Sequence, residues 1–128
     1  QTIGMAQATA GAAGGTPWCD TTAQIELLYA WDALIGNGGR TEASLEWTAQ
    51  DWILLASDHR FAFAASTDAP AHLEGRALRI GPELCRRLEA LDAGKLRSAL
   101  DGAASARERN ALLRRRDRMV KDAACGSG

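Results

Sequence analysis

A chain of 128 residues has room for one domain around a single core, and a hydrophobic fraction of 46% is ordinary for a globular protein. No apolar run exceeds the five residues of Trp52 to Ala56, far short of the roughly 20 that a membrane-spanning helix needs. The net charge of −1 conceals a split: residues 1–75 carry nine acids and two arginines, and residues 76–128 carry thirteen bases and seven acids. Such a division predicts an acidic half folded back on a basic half, or two surfaces with different partners.

Residues 1–16 are almost entirely Ala, Gly, Thr and Gln. They hold too little apolar surface to offset the entropy of ordering them, and a flexible leader is predicted. The chain opens at Gln1 rather than Met, and two readings stand: a removed export signal, or a boundary within a longer chain. A single helical domain is predicted over residues 17–125.

Asp20-Thr21-Thr22 supplies N-cap residues for a first helix. Ile25, Leu28, Trp31 and Ile35 mark its buried face, widened by Leu27 and Leu34. Gly36-Asn37-Gly38-Gly39 stops it. A second helix is predicted from about Thr41 to Ala64, with Leu45, Ala49, Trp52, Ala56 and Phe63 on one face. Trp47, Leu54 and Phe61 form an opposite stripe, which predicts a helix central in a bundle. The rival reading makes that stripe a partner-binding surface.

Residues 66–70 read as a loop. Pro82 opens a third helix whose buried face holds Leu84, Leu88 and Leu91. Gly94 is expected to end it, with a short helix following through Leu100. Gly102 breaks the chain again before a last helix over residues 105–124. The predicted fold class is all-α: a compact bundle of four to five helices with a flexible N-terminal leader.

The last helix has two kinds of arginine. Arg107, Arg114, Arg118 and Lys121 project into a narrow arc, opposite a face of Leu112, Leu113, Met119, Val120 and Ala123. The four bases are either a solvated face or the candidate partner-binding residues. An acidic protein is the expected partner ahead of nucleic acid, because no aromatic residues interleave with the arginines and the pI is near 6.1. Arg109 and Arg116 lie within the apolar face. They are expected to snorkel outward or to form a buried ion-pair or ligand cluster with carboxylates of the first half. Glu26, Asp32, Glu46, Asp51 and Asp58 are the candidates there.

Catalytic signals are absent from the sequence. His59 and His72 are the only side chains that titrate near neutral pH unaided, and neither belongs to a recognisable constellation. Ser57 and Ser66 lack a nucleophile-elbow context, and no P-loop or GxGxxG occurs. The glycines at 36–39 follow a helix rather than a strand, so they read as a stop. No catalytic residue, metal site or cofactor is assigned. Cys19, Cys85 and Cys125 form no CxxC. They are either three reduced thiols of a cytosolic protein or, in an exported one, a Cys85–Cys125 disulfide with Cys19 free.

The closing stretch from Arg114 to Cys125 resembles small exported helical proteins that bind and block other proteins, a likeness of one helix that reaches no family. The function expected from these features is non-enzymatic binding of a protein partner by an exported immunity- or inhibitor-type protein, periplasmic or secreted. The alternatives are a small helical enzyme or ligand sensor using an arginine–carboxylate cluster, or a component of a larger cytosolic assembly.

Overall fold

The computed structural model describes residues 2–5, 20–49, 51–123 and 125. Among them are four α-helices, α1 (Thr21–Ile35), α2 (Pro82–Ala90), α3 (Ala93–Ala99) and α4 (Ala106–Asp122). They are joined by a three-stranded antiparallel sheet of β1 (Thr2–Gly4), β2 (Leu45–Thr48) and β3 (Leu54–Ala56), in that spatial order. The predicted leader falls mostly outside the described residues, and its residues 2–4 are β1.

The sheet overturns the all-α expectation, and the correction lies where a second helix was predicted. Residues 42–44 make one 3₁₀ turn, and the chain then extends. Glu46 pairs with Leu55, Trp47 with Leu54 and also with Ile3. Leu45 and Trp47 are buried while Glu46 is exposed, the alternation of a half-buried strand. At the hairpin bend Trp52 N–H donates to Thr48 O. Left-handed backbone at Trp52, Asp58 and Phe63 breaks any longer helix. The proposed stripe is therefore no unit: Trp47 is 2% exposed and Phe61 57%, with Leu54 between them.

The helices obey their local signals. Asp20 caps α1 by accepting from Thr22 N–H at 3.0 Å, and Gly36 ends it in the left-handed conformation, φ 66°. Its buried side is Ala30, Asp32, Ala33 and Ile35, whereas Leu27 and Trp31 face outward. The face is thus rotated from the one drawn through Trp31, and it admits a carboxylate. Pro82 sits in the first turn of α2. Gly94 lies inside α3, which Asp92 caps through Lys95 N–H. Ser105 and Glu108 form a reciprocal capping box on α4.

Helix α4 is the post against which α1, α2 and α3 pack. One apolar cluster joins Ala30 and Ala33 of α1 to Leu88 of α2, Met119 of α4 and Leu73 of the connecting segment. A second joins Ile35 of α1, Leu96 of α3 and Leu112 of α4. A disulfide links Cys85 on α2 to Cys125 just past α4, with Cα atoms 5.6 Å apart; this is the pairing expected for an exported chain. No helix among the described residues is long and apolar enough to cross a membrane.

Candidate functional site

Arg107, Arg114, Arg118 and Lys121 are all exposed along α4. Among the described residues none of the four has an ion pair. On α2, by contrast, Arg86 and Arg87 both pair with Glu83. The segment after β3 runs beside the stripe, so Ser66 and Thr67 face Arg107, Asn110 and Arg114 across a shallow groove. Arg118 stands one turn further along and lines a different cleft. The structure therefore brings Arg107 and Arg114 together and sets Arg118 apart from them.

Arg109 and Arg116 meet backbone rather than the carboxylates of the first half. Arg109 Nη1 donates to Ala104 O at 2.7 Å. Arg116 Nη1 donates to Leu88 O and Leu91 O at the end of α2, the negative end of its dipole. Its Nε donates to the neighbouring Asp117. Both arginines are half-buried, and each donates to backbone carbonyls.

The deeply buried arginine of α4 is Arg115, 3% exposed. Nε donates to Leu34 O at 2.9 Å, and Nη1 to Ala64 O and Ser66 O at 2.8 and 2.6 Å. The guanidinium lies flat against Gly36, where a Cβ would come within 2.8 Å of Cζ. The C-terminus of α1, the negative end of its dipole, thus receives a cation from α4. Burial first, and nearby Arg118 second, hold the Arg115 guanidinium below its ordinary pKa. Nη2 is buried without an acceptor among the described residues.

Sequence reasoning missed Arg115 by one position, since adjacent residues on a helix diverge by about 100°. The signal was present: Arg115 follows Ala111 by four residues and precedes Met119 by four, and both are buried.

Arg115 and Arg118 line a cleft of about 280 Å³ with Arg76 and Asp122, over a floor that includes Ala33, Leu73 and Met119. Beside it lies a polar cluster built on Asp32, which is fully buried. Arg40 grips that carboxylate in a fork, Nε to Oδ2 at 2.9 Å and Nη2 to Oδ1 at 2.8 Å. Asn37 donates to Oδ1, and His72 Nε2 stands 3.1 Å from Oδ2. Arg40 Nη1 continues to Ser57 O, so one carboxylate ties α1 to the segment after β3 and to the turn at 71–73. The His72 ring leans on Tyr29, over which Arg76 sits at 4.7 Å.

An imidazole oriented by a carboxylate can serve as a general base, but Asp32 is already committed to Arg40. The Ser44 hydroxyl, which accepts from Arg40, donates to Thr41 O. The cluster therefore reads as a brace. His59 is exposed, and among the described residues no three His, Cys, Asp or Glu side chains gather as metal ligands.

No protein-family model, curated protein or solved structure matches the chain.

Proposed function

We propose that this is a non-enzymatic binding protein that docks an acidic protein partner on the outer face of α4, in the manner of immunity and inhibitor proteins. The observation that carries the reading is the row of four exposed bases without carboxylate partners among the described residues. Crowded like charges destabilise a helix surface, whereas α2 neutralises its own arginines with Glu83. An unneutralised row supplies long-range attraction for a partner of opposite sign and sets its orientation. The Cys85–Cys125 bond supports an oxidising compartment, periplasmic or extracellular.

The test compares the wild-type chain with a variant carrying Glu at 107, 114, 118 and 121 as baits in native extract, at low and raised salt. An acidic protein held by the wild type at low salt, released by salt and absent from the variant is the expected outcome. Equal retention by both baits would sink the proposal, as would nucleic acid as the retained species. Matching circular dichroism spectra ensure that the variant is folded.

A further inference from the structure

The cleft lined by Arg115 and Arg118 is a different place from the Arg107–Arg114 groove. We propose that it is a binding site for a small amphiphilic monoanion, a carboxylate carried on a compact apolar body. The inference does not rest on the protein-binding function above.

Four observations lead to it. The volume of about 280 Å³ falls just below the roughly 300–1,000 Å³ usual for small-molecule sites. The floor is apolar, with Ala33 and Leu73 buried beside Met119. Three guanidinium groups line the cleft, and none has an ion pair among the described residues. The innermost, Arg115, is deeply buried and keeps one nitrogen, Nη2, without an acceptor. A buried charged donor left unmet is unfavourable, and an anionic oxygen satisfies it with a charge-assisted hydrogen bond.

The charge of the ligand follows from the same residues. Asp122 in the lining offsets one of the three positive charges. Arg76 spends part of its field on the Tyr29 ring. That leaves an excess of two positive charges, which one further negative charge reduces to one. Inorganic phosphate would leave the apolar floor uncovered, and a neutral alcohol could accept from Arg115 Nη2 but would bring no charge to the guanidinium groups.

The test is a titration of the folded, oxidised chain with octanoate, octan-1-ol and inorganic phosphate, followed through the Met119 methyl resonance and by calorimetry. Octanoate is expected to shift Met119 saturably and to bind at least about tenfold more tightly than octanol, with phosphate moving the methyl little. Arg118→Gln should weaken octanoate severalfold. Ala77→Trp, which fills the exposed rim of the cleft, should abolish binding. Arg107→Glu with Arg114→Glu should leave it unchanged, separating this site from the protein-binding row. Equal affinity for octanol would overturn the proposal, as would phosphate acting as strongly as octanoate, or octanoate binding that survives Ala77→Trp.

Discussion

Arg115 and Asp32 show how single buried charges organise this protein. Arg115 finds no carboxylate. It is held by three carbonyls, two of them from the segment at 64–66, which has no regular structure of its own. Removing it orphans those carbonyls, so Arg115→Ala should lower stability by about 2–4 kcal/mol. Arg114→Ala, one position away and exposed, should stay within about 0.5 kcal/mol. Gly36→Ala should act like a mild Arg115 variant. It strains a left-handed residue, at about 1–2 kcal/mol, and also drives a methyl into the guanidinium. Urea denaturation of the three variants side by side checks the ranking. Equal stabilities for Arg114→Ala and Arg115→Ala would show that α4 is rotated from this arrangement.

The individual helices were legible because their signals are local. Asp20, Pro82 and Ser105 each act on backbone within a few residues, and that chemistry is written in sequence order, whereas Gly94, expected as a stop, lies inside α3 under the Asp92 cap. The hairpin was not legible. Its inward residues are only Leu45, Trp47 and their partners on β3, too few for a period of two to outweigh a period near 3.6. What makes residues 45–56 extended is pairing with each other and with residues 2–4, and such pairing is a tertiary matter. The Arg40–Asp32–His72 cluster hid for the same reason, since His72 lies 40 residues from its carboxylate.

The capping box gives this scale its prediction. The Ser105 backbone N–H first, and its side chain second, hold the Glu108 carboxyl below its ordinary pKa. A lowered folded-state pKa means that this contribution to stability is present above the unfolded carboxylate value. It is lost as pH falls through the folded one. Ser105→Ala should cost about 1 kcal/mol at neutral pH and move the Glu108 titration, followed by NMR, only part of the way back toward its ordinary value, because the backbone N–H remains.

Across the whole molecule the two oppositely charged halves meet far less than their composition suggests. The strongest ion pair, Asp32–Arg40, lies inside the acidic half. Among the described residues the one ion pair between the halves is Arg79–Glu26, at 3.8 Å. The basic half instead anchors itself through carbonyls and through Cys85–Cys125, which closes a separation of 40 residues. A loop of that length corresponds to about 4 kcal/mol in the chain-entropy account. Reduction with dithiothreitol should therefore lower the melting temperature substantially, and Cys85→Ala should abolish the reductant's effect. A melt indifferent to reductant would show the bond to be dispensable.

The amide of Gln24 accepts from Leu54 N–H at 2.8 Å and donates to Trp52 O at 2.7 Å. Those are the two bonds that a parallel neighbouring strand would make with the residue between them. A side chain of α1 thus occupies the outer edge of the sheet as a one-residue counterfeit strand. Exposed Ile53 and Leu55 stand on the same stretch, and an open apolar edge is a template for another chain to add to. What reads as a small packing detail is in this sense a guard against self-association. Gln24→Ala should leave the fold nearly intact yet raise light scattering and thioflavin binding on prolonged incubation. A variant as free of aggregates as the wild type would show that the edge is protected by something other than this amide.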